Sequence, residues 1–348
     1  MRRYYRNTSP LAALALGFVV IVSACRPEIV EERFEPRESH AAYHEALERL
    51  DLAETELGRS WIEAAERALS APTGAPPPLS EVAFFDPTRP DAVGYEFRVE
   101  RGRRIEIAIE TEVDRYFADV YRAAGDEAPT HVASRPPGGD RIVFEPRFDG
   151  VYLLRLQPEL LRGGRFQISI VSRASLSFPV EGVGPEAILS FYGDGRDGGL
   201  RKHEGVDIFA PRGTALLAAS DSVVQRVGVR DRGGNVVTLY DEARDLVLYY
   251  AHLEEQLVER GQRVRAGEAI GTMGNTGNAV TTPPHLHIGL YGGSWRNDVD
   301  PWNYFVDPPL IEPAAIENGE IVGQWLTVAR DTTLSATLPT PPAVPRFV

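Results

Sequence analysis

The 348-residue sequence predicts a mainly β protein. An antiparallel β domain over residues 182–306 follows a β-sandwich over 81–181 and a helical segment over 37–70. Three observations lead there. Glycine and proline are abundant, 32 and 27 residues, which favours turn-rich β structure over a helical bundle. Segments such as YEFRVE (95–100), IEIAIE (105–110) and RFQISIV (165–171) alternate apolar and polar residues with a period of two. Only residues 37–70 combine scarce glycine and proline with helical spacing of apolar residues. A hydrophobic content of 43% and a charged content of 25% exclude wholesale disorder. The formal net charge of −13 argues against a nucleic-acid partner, because phosphate binding needs a basic face.

The chain opens with the basic stretch MRRYYRNTSP, then the apolar run LAALALGFVVIV (11–22), then small residues. This is the pattern of an export signal over residues 1–24, and the apolar run is too short to span a bilayer. Val22-Ser23-Ala24-Cys25 resembles a bacterial lipobox, which implies that Cys25 is lipidated and becomes the mature N-terminus at a membrane. Arg26 in place of Asp points, by the sorting rule of enteric bacteria, to the outer membrane facing the periplasm. Cys25 is the sole cysteine, so an internal disulfide, a cysteine zinc ribbon and a CxxC redox pair are excluded.

A polar tether (25–36) leads into the helical segment, where Tyr43, Leu47, Leu50, Ala53, Leu57, Ile62, Ala65 and Leu69 mark one apolar face. The segment reads as one long helix or a hairpin broken near Gly58-Arg59-Ser60. His40 and His44 lie one turn apart there, but HAAYH lacks the glutamate of HExxH, and a solvated helix face is the simpler expectation. Residues 71–80 form a proline-stiffened linker. In 81–181, alternating strands separated by turns at Arg101-Gly102, Asp149-Gly150 and Gly163-Gly164 predict an antiparallel sandwich. Their order resembles the small pre-peptidase β-sandwiches attached to secreted proteases. His131 reads as a loop residue without a partner. Gly193-x-Gly195-x-x-Gly198 has the form of a dinucleotide fingerprint, but LRKHEGVDIF follows instead of a helix, so it reads as a glycine-rich loop.

Four of the seven histidines fall in three short motifs: HEGVD with His203 and Asp207, YYAHL with His252, and PPHLHIGLY with His285 and His287. Alternate side chains of a strand share a face, so His285 and His287 address one site while Leu286 enters the core. Two histidines and a carboxylate suit Zn²⁺ with one coordination position open, and two further histidines then serve proton transfer and charge stabilisation at a scissile carbonyl.

HxxxD, AHL and HxH in this order resemble the zinc metallopeptidases of peptidase family M23, the LytM/lysostaphin-type peptidoglycan endopeptidases. The flanking HEGVDIFAPRGTALLAA, GQRVRAGEAIGTMGNTGNA and Asp300-Pro301 agree, and the likeness covers about 185–305. The resemblance implies zinc ligands at His203, Asp207 and His287, catalytic roles for His252 and His285, and a LytM-like antiparallel β fold. HIGLY stands where many members read HFEV or HFGI. A tyrosine that some members place near the zinc has three candidates, Tyr192, Tyr249 and Tyr250.

Within this domain GVDIF, ALLAASDSVVQRVGV, NVVTLYD, LVLYYAH, AIGTMG and HLHIGLY read as strands. GQRVRAGEAIG resembles the tight hairpin of lipoyl- and biotinyl-type folds, without a carrier lysine at its tip. The extension 307–348 holds one strand-like run and a proline-rich end. The expected protein is an exported, lipid-anchored zinc endopeptidase whose partner is the stem peptide of peptidoglycan. Localisation favours direct D-alanyl–diaminopimelate cross-links over glycine bridges. Rival readings are a non-catalytic regulator of another wall hydrolase, which the complete ligand set disfavours, and a zinc peptidase acting on a protein substrate. The upstream helix and sandwich are candidates for a cover over the groove.

Overall fold

The structure is a computed structural model that describes residues 39–125, 127–293 and 295–309. The signal segment, Cys25, the tether and the run GQWLTVARDTTLSATL lie outside the described residues. Among the described residues, no helix is long and apolar enough to cross a membrane.

The helical segment is a hairpin of α1 (His40–Arg49) and α2 (Glu56–Ser70). Its break falls at 50–55 and not at Gly58. Asp51 turns the chain with φ 57°, and Thr55 caps α2 by accepting the Gly58 N–H at 3.1 Å. Gly58 is helical; lacking a Cβ, it leaves room for the Leu52 carbonyl.

His40 is not on a solvated face. It is buried, its ring stacks on Trp61 at 4.5 Å, and its Nε2 pairs with Gln157 Oε1 at 2.7 Å. Trp61 in turn donates Nε1–H to the Pro158 carbonyl at 2.9 Å. His44 turns instead towards Glu48, so the two histidines do not form a metal pair. Burial, reinforced by Arg155, pulls the His40 pKa from 6.5 down to about 4. Between those values the unfolded chain holds the extra proton. Stability is therefore full above pH 6.5 and falls as pH drops towards 4, by about 3 kcal/mol over the whole span. Thermal unfolding of wild type and His40→Gln across pH 7 to 4 should show the wild type losing more; parallel curves would contradict this.

The sandwich strands are β1 (Leu79–Phe85), β2 (Val93–Val99), β3 (Arg103–Thr111), β4 (Tyr116–Ala124), β5 (Glu127–Ser134), β6 (Arg141–Phe144), β7 (Gly150–Pro158) and β8 (Gly164–Ala174). One sheet runs β1-β8-β3-β6 and the other β2-β7-β4-β5. Inward residues Phe97, Ile105, Ile107, Ile109, Leu154 and Ile168 fill the space between them, as the period of two requires. Part of the expected linker is sheet: Thr73–Gly74 runs parallel to Tyr95–Glu96. His131 lies in edge strand β5 rather than a loop, facing Tyr121 across the pair and touching Ser134 Oγ at 2.8 Å. Pro129 misleads here, because an edge strand tolerates a proline.

The second β unit contains β9 (Ile188–Ser190), β10 (Val206–Phe209), β11 (Ala215–Leu217), β12 (Ser222–Arg230), β13 (Gly234–Asp241), β14 (Leu246–Gln256), β15 (Arg263–Val264), β16 (Ala269–Met273), β17 (His285–Gly292) and β18 (Asp298–Val299). The main path is β9-β10-β17-β14-β13-β12-β15. ALLAASDSVVQRVGV is two strands, β11 and β12, not one. GQRVRAGEAIG does not fold back on itself: β15 pairs with β12, whereas β16 pairs with β11 and β14. Its turn is fastened elsewhere, with Gly267 N–H on the Ala218 carbonyl and Ala266 N–H on Asp221 Oδ1. Arg244 joins the unit to the sandwich through two bonds to the Glu145 carboxylate, at 2.6 and 2.8 Å.

Candidate active site

Three adjacent strands build the site. In the β10–β17 pair Asp207 faces His287 and Phe209 faces His285, and in the β14–β17 pair Ala251 faces His287. Leu286, between the two histidines, is fully buried on the opposite face. His203 enters just before β10. Gly205 lets the chain pass there, since a Cβ at that position would meet the Ile288 carbonyl and, at 2.9 Å, His287 Cε1.

His203 Nε2 and His287 Nδ1 are 2.9 Å apart, and Asp207 Oδ1 lies 3.0 Å from each. The His203 Nδ1 lies 2.8 Å from the Phe191 carbonyl. A carbonyl can only accept, so Nδ1 carries the proton and Nε2 presents a lone pair. Tetrahedral zinc with bonds of about 2.1 Å separates its ligand atoms by roughly 3.4 Å. The three donors, all within 4.8 Å of one another, fit that ion with a small outward movement. Burial alone would raise the Asp207 carboxyl, but its contacts with the His203 and His287 rings hold it well below the usual carboxylate range. Burial lowers His287.

His252 and His285 stand beside this trio, their ring centroids 5.0 Å apart. Nδ1 of His252 donates to the Thr276 carbonyl at 2.8 Å, and Nδ1 of His285 to the Pro283 carbonyl at 3.0 Å. In the neutral form of either ring this leaves Nε2 as the unprotonated nitrogen. Burial pulls the His252 pKa down to about 4, so it is neutral near pH 7. His252 also adopts φ 67°, a left-handed conformation costing a β-strand residue about 1–3 kcal/mol. Its N–H donates to the Gly233 carbonyl at 2.7 Å, which helps hold the bend.

All five predicted residues thus line one groove of about 520 Å³. Of the three tyrosines, Tyr250 is in the core and receives the Ala219 N–H, while Tyr192 bonds to Asp298 and Lys202. Tyr249 is at the groove, edge-on to His287 at 6.1 Å. Among the described residues, the groove lining begins at Ser190, so neither the helical hairpin nor the sandwich covers it. A larger cavity of about 880 Å³, between the hairpin and β4–β5, contains none of these residues. Sequence reasoning missed the carbonyl clamps of Phe191, Thr276 and Pro283, which no side-chain pattern announces. It also missed Arg196, which donates to Asp207 Oδ2 at 2.6 Å.

Three residues able to hold a metal ion, with two further imidazoles beside them, form the kind of constellation that mononuclear metallopeptidases use. Residues 201–301 match the sequence model of Peptidase family M23. The peptidoglycan DD-endopeptidase ShyC of Vibrio cholerae is 40% identical over 90 residues, 26% of this chain and 20% of that protein. An uncharacterized lipoprotein of Escherichia coli, YgeR, is 40% identical over 92 residues, covering 26% of this chain and 35% of that one. The L-Ala--D-Glu endopeptidase of Bacillus subtilis is 35% identical over 129 residues, 35% of this chain and 38% of its own. The match to each of these curated relatives covers less than two fifths of the relative's length.

Proposed function

We propose that the chain is a zinc-dependent endopeptidase that hydrolyses peptide cross-links of bacterial peptidoglycan. The observation that carries this reading is the convergence of His203 Nε2, His287 Nδ1 and Asp207 Oδ1 beside two imidazoles with free Nε2 atoms. Zinc held by those three residues supplies Lewis acidity and a water of lowered pKa. The protein's own residues do the rest. His252, neutral near pH 7, or the neutral form of His285 accepts the proton of the attacking water at Nε2, while Nδ1 stays on its carbonyl clamp. The imidazolium so formed returns that proton to the leaving amine, while the other histidine stabilises the charge that develops on the scissile carbonyl oxygen. Tyr249 walls the groove beside them.

The relative named as a peptidoglycan DD-endopeptidase supports the substrate class, and the Bacillus subtilis relative is named for a different bond, L-Ala--D-Glu, so the bond cut here is left to experiment. Val22-Ser23-Ala24-Cys25 and the lipoprotein relative support a Cys25-linked lipid anchor, and Arg26 in place of Asp favours the outer membrane. Buried acyl chains contribute about 0.8 kcal/mol per CH₂, enough for several chains to hold an acidic protein without a basic patch. Metal analysis tests the reading. Wild type should retain one zinc per chain, and His203→Ala, Asp207→Ala and His287→Ala should each lose it. A wild-type chain that holds no zinc would favour the regulator instead.

A further inference from the structure

The glycine-rich loop is unused by the mechanism above, yet it wraps behind two of the three metal donors. On the His203 side, the Phe191 carbonyl takes Nδ1–H at 2.8 Å and Ser190 Oγ lies 3.3 Å from the same nitrogen. On the Asp207 side, Arg196 Nη2 donates to Oδ2 at 2.6 Å and to Ser190 Oγ at 2.7 Å. Ser190 Oγ also donates to Asp194 Oδ2 at 3.1 Å, which closes a belt from one donor residue to the other. Gly193 and Gly198, at φ 86° and 72°, make the turns that bring Arg196 back over the site, and Arg196 pairs in register with Arg201.

The two oxygens of Asp207 are thereby separated. Oδ1 faces His203 and His287, and Oδ2 is held by the guanidinium. An exposed ion pair would contribute little, but the Asp207 side chain is only 11% exposed and Arg196 makes two bonds from one nitrogen. Without the guanidinium, Oδ2 would be free to rotate towards the metal position.

Resting on the zinc reading, we propose that Arg196 is a positioning residue of the metal centre: it clamps Oδ2, makes Asp207 a one-oxygen ligand and keeps a coordination position open. Outer partners of metal ligands typically alter affinity by 10–100-fold. Chelator competition on the full chain should therefore show Arg196→Met binding zinc about 10–100-fold more weakly than wild type. The cobalt-substituted variant should show the weaker visible absorption of a higher coordination number. Arg196→Lys should recover part of the affinity, because it restores the charge and donors on a shorter side chain without the planar guanidinium. The metal-free variant should still unfold in one cooperative transition, at a temperature lowered modestly by loss of the ion pair, which separates the effect from misfolding. If Arg196→Met binds zinc within threefold of wild type with the same cobalt spectrum, the proposal is overturned. A raised KM at unchanged zinc affinity overturns it too, and assigns Arg196 to substrate contact. A wild type without zinc overturns the metal reading itself.

Discussion

Replacing His285 with alanine is expected to lower turnover by about 10²–10⁴-fold while one zinc per chain is retained. His285 Nδ1 is committed to the Pro283 carbonyl and its ring stacks on Phe209 at 5.0 Å, so it offers the groove only Nε2. The donor atoms of His203, Asp207 and His287 remain in place without it. His252→Ala should behave alike in turnover, with one difference in stability. Alanine inherits the left-handed φ of 67°, whereas glycine adopts it freely, so His252→Gly should unfold at a higher temperature than His252→Ala. Metal content and turnover measured on the same preparations check both variants. Full activity in His285→Ala would refute the assigned role.

Asp119→Ala is expected to destabilise the sandwich by roughly 3–5 kcal/mol, the cost of stranding a buried charge. Asp119 and Arg155 are 2.7 Å apart, with side chains only 6% and 7% exposed. Arg155 Nη2 has Tyr121 as its other partner, and Arg155 Nε has none. Both residues line the cavity beneath the hairpin, so water entering it places the expected loss at the lower end of that range. Denaturant unfolding measures the effect, and Asp119→Ala combined with Arg155→Met should recover most of it. A single-variant loss below 1 kcal/mol would contradict the account.

The parts of the molecule legible in the sequence were those with a strict period or a side-chain motif. The alternation in 105–109 and 165–171 places Ile105, Ile107, Ile109, Phe166, Ile168 and Ile170 inside the sandwich. HLH places two imidazoles on one face because a strand has no other option. Features made by distant chain were not legible. The local sequence marks His40 as solvated because its partners, Trp61 and Gln157, are 21 and 117 residues away. β15 and β16 looked like a hairpin because their true partners, β12, β11 and β14, leave no local mark. Gly58 looked like the helix break because glycine disfavours helices, but a close Leu52 carbonyl requires it there. At the site, the left-handed His252 and the Arg196 clamp depend on Gly233 and on the turns around Gly193 and Gly198.

The most direct test of the central claim is mass analysis of muropeptides after purified sacculi are digested with zinc-loaded wild type and with His285→Ala. Wild type should convert cross-linked dimers into monomers whose masses identify the cleaved bond, while His285→Ala leaves the dimers intact. Dimers untouched by zinc-loaded wild type, or cleaved equally by both proteins, would contradict it.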